Sequence, residues 1–191
     1  MNKDKQVSNL FEQYVKDKTH AQKVLELSLI LFEKINSILN IFDETDKNML
    51  YCGALLHDIG YSFTNKTHNK SGRDFILQNN ILKFTLNENI IIANIIRYHR
   101  GKLPKPTHNL FMNLDSETQK KTALLAGICR LADGLDANHL SSVKDIDFYY
   151  DNDRYYLKVF SDNVNIKKII TAKEKKDLLE LYLNKKIKIL I

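Results

Sequence analysis

The 191-residue chain suits one domain, or one domain with a small appendage, and a hydrophobic fraction of 43% suffices for a core. No apolar run nears the roughly 18–20 residues of a membrane span. The polar, amphipathic opening MNKDKQVSNLFEQYV lacks the apolar run and cleavage site of a secretory leader, so a soluble cytoplasmic protein is expected. The net charge of +6 rests on 24 Lys against 5 Arg in a chain also rich in Asn and Ile; this reads as compositional bias, and nucleic acid is not the expected partner.

In chain order, residues 19–39 place Val24, Leu25, Leu27, Leu31, Phe32, Ile35 and Ile38 at helical spacing. Asp43-Glu44-Thr45 precedes a second helix through KNMLYCGALLHD, which Gly60 suits as an end. A third helix starts near His68. LNENIIIANIIRYHR is a fourth, closed by Gly101 and then Pro104 and Pro106. SETQKKTALLAGICRLADGLD is a long fifth, with Ser116 as its N-cap. Cys52 and Cys129 read as small hydrophobes on buried faces rather than as a disulfide or a catalytic thiol. Near residue 143 the period changes. VKDIDFYY and RYYLKVF, separated by Asp151-Asn152-Asp153, predict a hairpin; ITAKEKKDLLELYLN predicts a helix and KIKILI a last strand. The expected fold is mainly α: a helical domain over 1–140, and over 141–191 a small α+β appendage (hairpin, helix, strand) packed on it.

Several polar residues sit inside or beside apolar helix segments: His20, His57-Asp58, His68, His99 and Asp133. Singly, each has an ordinary reading. His20 could stand at a helix start, His68 in a solvated loop, His99 at the surface beside Arg97 and Arg100, and Asp133 in a pair with Arg130. Together they form the imidazole and carboxylate set that binds a borderline or hard divalent metal. No Cys accompanies them, which argues against structural zinc, and the Asp residues favour Mn, Mg or Fe at least as much as Zn. His57 and Asp58 can converge on one ion off the end of their helix, with His20 and Asp133 on helices that could face it. Coordination would offset the several kcal/mol that burying such groups costs.

The order His20, His57-Asp58, Asp133, carried by HA, ALLHDIG and LADGLD, resembles the H…HD…D signature of the HD-domain superfamily of metal-dependent phosphohydrolases, which are all-helical. LLHDIGY, THNKSGRDFIL, IIRYHR and RLADGLDANH, with the tail, are similar to the C-terminal HD domain of the exopolyphosphatase/guanosine pentaphosphatase (Ppx/GppA) family, over about residues 7 to 190. The resemblance implies that His20, His57, Asp58 and Asp133 bind one metal and that His68 and His99 add ligands for a second. Family members carry the phosphatase site on N-terminal actin-like ATPase-fold domains. This sequence from Met1 has none, so catalysis is expected from the HD site itself. RYHRGKLPK is similar to a segment of cyclic-dinucleotide phosphodiesterases but lacks its Gly-Tyr-Pro. Tyr61 stands where many HD enzymes have a Lys.

The expected activity is therefore hydrolysis of a phosphate ester or anhydride of a small phosphorylated molecule, a nucleotide foremost. The expected cofactor is one or two divalent ions (Mn, Mg, Fe, Ni, Co or Zn). His57 and Asp58 are the candidate catalytic residues, Asp58 as a bridge between ions or as the group orienting water. Arg97, Arg100 and Arg130 are candidates for phosphate, whose geometry a guanidinium matches, and Lys70 is a weaker one. His108 and His139 are read as structural. The rival reading is a regulatory HD module binding polyphosphate or (p)ppGpp. The strands of the tail also offer a surface for a homodimer.

Overall fold

The computed structural model describes residues 3–81, 84–161 and 166–191. In order come α1 (Lys3–Tyr14), α2 (Lys18–Leu39), α3 (Glu44–Leu55), a 3-10 turn (Ile59–Ser62), α4 (His68–Asn79), α5 (Leu86–Tyr98) and the single turn α6 (Asn109–Met112). There follow α7 (Ser116–Leu135), β1 (Val143–Asp151), β2 (Arg154–Ser161), α8 (Ile166–Lys175), α9 (Asp177–Leu183) and β3 (Ile187–Leu190). The fold is mainly α with an α+β tail, as expected. No helix of the described residues is long and apolar enough to cross a membrane.

Local chemistry sets the helix starts. Asp17 caps α2 by accepting from His20 N at 3.0 Å. Asp43 and Asp46 form a reciprocal capping box on α3, and Thr85 and Glu88 form one on α5. The cap of α7 is Asp115 and not Ser116: its backbone is extended, and Oδ1 accepts from Thr118 N at 2.9 Å. The polar N-terminal segment, expected only to be amphipathic, forms α1 and buries Val7 and Phe11.

Helix α7 is the axis of the core. From Thr122 to Leu135 every residue is buried, as a helix packed on all sides requires. Around it lie α2, α3, α5, α8 and α9, and β1 lies on α2. One apolar cluster joins Leu27, Leu31, Ile95 and Leu124 to Val143, Ile146, Leu157, Leu178 and Leu179, so residues on both sides of position 140 share it. Cys52 and Cys129 are buried within it and are not joined in a disulfide.

The tail is a three-stranded sheet in the order β1-β2-β3. β1 and β2 pair antiparallel through Phe148↔Leu157 and Tyr149↔Tyr156. Their turn is Asn152-Asp153, both at positive φ (46° and 69°), the geometry that matches hairpin twist. β2 and β3 are parallel, with Tyr155 opposite Ile187, and α8–α9 make the crossover this demands. The single helix expected over 170–184 is two helices, broken at Lys176. There Lys176 Nζ bonds the Ile187 carbonyl, and Arg130 of α7 holds Asp177 at 2.7 Å.

Candidate metal centre

The ends of several elements meet beside the last turn of α7. The first turn of α2 brings His20, the turn after α3 brings His57 and Asp58, and the first residue of α4 is His68. The C-cap of α5 is His99, and the end of α7 brings Asp133 and Asp136. Helix α3 stops at Leu55, a turn earlier than Gly60. Gly60 has a different job. A Cβ there would lie 1.9 Å from the His68 carbonyl oxygen, so only glycine lets the start of α4 descend onto this turn.

The histidines share one orientation. Nδ1 of His57 lies 2.8 Å from the Ala54 carbonyl, Nδ1 of His68 lies 3.2 Å from that of Asn65, and Nδ1 of His99 lies 2.7 Å from that of Ile96. In each case the acceptor is three residues earlier. A carbonyl only accepts, so these Nδ1 atoms carry the proton and the Nε2 atoms present lone pairs. Those Nε2 atoms converge on Asp58: His57 at 3.4 Å, His68 at 3.2 Å and His99 at 3.5 Å. His68 and His99 Nε2 are also 3.4 Å from each other. His20 repeats the arrangement with carboxylates, Nδ1 lying 2.9 Å from Asp136 and Nε2 lying 3.3 Å from Asp133. Acceptors thus face acceptors, and His57 Nε2 is buried without a hydrogen bond.

Such a cluster calls for added protons or for a cation. Burial opposes charging His20, but Asp133 and Asp136 outweigh it and lift its pKa to about 9. Burial also opposes charging His57, and the Asp58 carboxylate overcomes it and raises that pKa. His99 goes the other way, to about 3, through burial and the neighbouring His57. Burial would raise Asp58, yet His57 and the other imidazoles hold it far below the carboxylate range. Asp133 is likewise held low against burial, first by the Lys175 ammonium. Two groups have the donor atoms for an ion: His20/His57/Asp58 and Asp58/His68/His99, the atoms of each lying within 4.8 Å of one another. They share Asp58. The fit rests on chemistry: fixed Nδ1–H groups, bare Nε2 atoms and ionised carboxylates are what a divalent ion needs. Asp133 belongs to neither group: its Oδ1 lies 3.3 Å from His20 Nε2, and Lys175 Nζ engages its Oδ2.

A cavity of about 450 Å³ opens over these residues, lined also by Tyr61, Arg100, Arg130, His139 and, from α8, Thr171, Glu174 and Lys175. The structure brings His20, His57, Asp58, His68, His99 and Asp133 together, and it brings Arg100 to within 3.4 Å of both His68 Nε2 and Tyr61 Oη. Arg130 reaches the cavity, but its guanidinium is occupied by Asp177 and by the carbonyls of Tyr98 and Gly101, not by Asp133. Arg97 and Lys70 do not line it. Each stands two residues from a histidine that does, about 200° around the helix. Two neighbours were missed in the sequence, and a third was read only as structural. Asp136 orients His20, and its signal was its i,i+3 spacing from Asp133. His139, read as structural, stacks on His20 at 3.9 Å and bonds Asp17 at 2.7 Å. Lys175 carries no local signal within AKEKK. His108 accepts from or donates to Tyr98 Oη at 2.8 Å, away from the centre.

A search of curated proteins finds no match to the chain. The family model for Ppx/GppA phosphatase, domain III, matches residues 3–184, which takes in every residue of the centre and the whole of α8 and α9. This chain belongs to the Ppx/GppA phosphatase domain III family.

Proposed function

We propose that the chain is an HD-type metal-dependent phosphohydrolase, cleaving a phosphate ester or anhydride of a small phosphorylated molecule, a nucleotide foremost. The observation that carries this reading is the convergence of bare imidazole nitrogens on Asp58. His20, His57, Asp58 and Asp133 would hold one ion, and Asp58, His68 and His99 a second. When bound, divalent ions supply a water of lowered pKa and neutralise charge on phosphoryl oxygens. Asp58, ionised and shared by both groups, fixes the separation between them. Arg100, which touches Tyr61 and His68 but pairs with no carboxylate among the described residues, would bind a phosphoryl oxygen by a charge-assisted bond. Tyr61, stacked on the His68 ring at 3.7 Å, restrains that imidazole. The helical part up to residue 140 would supply the ligands, and the tail one wall of the cavity.

The test is phosphate release by purified protein loaded with Mn, Mg, Fe, Co, Ni or Zn, against nucleotides and short polyphosphates. Turnover should depend on added metal and vanish in Asp58→Ala. No turnover under any condition, or turnover undiminished in the variant, would overturn the reading.

A second reading is a non-catalytic module binding polyphosphate or (p)ppGpp. Lys175 supports it, because its ammonium occupies a carboxylate that the first reading assigns to metal. Under this reading no ion can be loaded at any concentration short of denaturing the protein, which metal analysis after dialysis would reveal.

A further inference from the structure

Arg97 is 6% exposed, and among the described residues its guanidinium makes no hydrogen bond or ion pair. Its one contact of note is the face of the Tyr98 ring, 5.4 Å away. No nitrogen of the guanidinium is fully shut off from solvent, yet among the described residues no carboxylate pairs with it. The Asp74 carboxylate that acts on it from a distance is already held by Arg73 at 2.7 Å. Arg97 instead borders a second cavity of about 170 Å³, whose polar lining is Arg73, Asn94, Arg97, Thr107, His108 and Asn109, with no acidic side chain. The positive potential there acts on a neighbour: burial, then Arg97, Lys105, Arg73 and Lys70, push the His108 pKa down.

We infer that this cavity is a second ligand site, separate from the metal centre, which takes a phosphate group through the guanidinium of Arg97 with Arg73 at its rim. A guanidinium fork and neutral amide and hydroxyl donors are what a compact oxyanion needs. The phosphate can be free inorganic phosphate or the terminal group of a nucleotide or polyphosphate chain. None of this depends on the metal reading, since no proposed metal ligand lines the cavity.

The test uses the full chain carrying Asp58→Ala, so that phosphate bound at the centre does not confuse the result. Inorganic phosphate, ADP and tripolyphosphate are titrated calorimetrically. Binding by phosphate itself assigns the site to the free ion, and binding by ADP or tripolyphosphate alone assigns it to the end of a larger ligand. In either case Arg97→Met should weaken affinity at least tenfold. Arg73→Met, on a partly exposed side chain, should weaken binding at least threefold and serves if Arg97→Met does not fold. Absence of binding by all three ligands, or affinities within twofold of the parent in the folded variants, overturns the inference.

Discussion

Two cavities flank the last turn of α5, and their charges are unbalanced in opposite senses. On the His99 side, imidazole lone pairs and carboxylates crowd together with too few protons. On the Arg97 side, the guanidinium of a largely buried residue borders a cavity with no acidic side chain. Only Tyr98 separates the two residues in sequence. Successive residues on a helix point about 100° apart, so a step of two leads from an imidazole lone pair to a guanidinium donor facing another way. A polar residue in a core is thus informative by what it lacks. A site short of donors asks for a metal, and a site short of acceptors asks for a phosphate.

The contrast can be broken most severely at Asp58. Asp58→Ala removes the acceptor that both groups share, and hydrolysis should fall at least a thousandfold, about 4 kcal/mol in the barrier. Metal content after loading should fall with it, whereas Arg97→Met should leave metal content unchanged. Next comes the floor of the centre. Gly60→Ala drives a methyl into the His68 carbonyl and should cost about 3 kcal/mol in urea unfolding, with loss of the ion held by His68 and His99.

Acidity sharpens the same contrast. The folded-state pKa of His20, about 9, lies above its ordinary 6.5. The native state of the metal-free protein therefore binds a proton that the unfolded chain releases. The resulting stability, about 3 kcal/mol, is fully present below pH 6.5 and is lost as pH rises through 9. Thermal melts in chelator should show that decline, and His20→Asn should flatten it. Metal binding displaces the proton, so with metal present the slope should reverse. The smallest effect is expected at Lys175. Its ammonium competes for Asp133, so Lys175→Met should tighten metal binding by about fivefold in a competition titration with a chromophoric chelator.

Much of the fold was legible because apolar periodicity and caps are local signals. The run from Val24 to Ile35 marks α2, and Asn152-Asp153 marks the hairpin. Where prediction slipped, a distant partner had intervened. The tail helix breaks at Lys176 because β3 offers it a carbonyl and Arg130 claims Asp177. For the site, HD and the flanking His and Asp could be read as a set because their residue types have few other uses inside a core. Arg97 could not be directed to one cavity or the other without its helical phase relative to His99. Lys175 was invisible because a lysine in a lysine-rich tail says nothing until Gly134 lets α8 approach: a Cβ on that glycine would lie 3.0 Å from Ala172 Cα. His139 was read only as structural for a related reason, since it reaches His20 by taking a left-handed backbone conformation, φ 56°.

The centre is built from element ends far apart in the chain, and this gives its assembly an order during synthesis. His68 and His99 are 31 residues apart, so the group around Asp58 can close once α5 has emerged from the ribosome. His20 waits much longer, because Asp136, which fixes its ring, lies 116 residues downstream. A nascent chain stalled between these points would own half of the proposed centre. The wall that carries Lys175 is translated later still, so the newborn centre faces its solution of ions before the cavity above it has been enclosed.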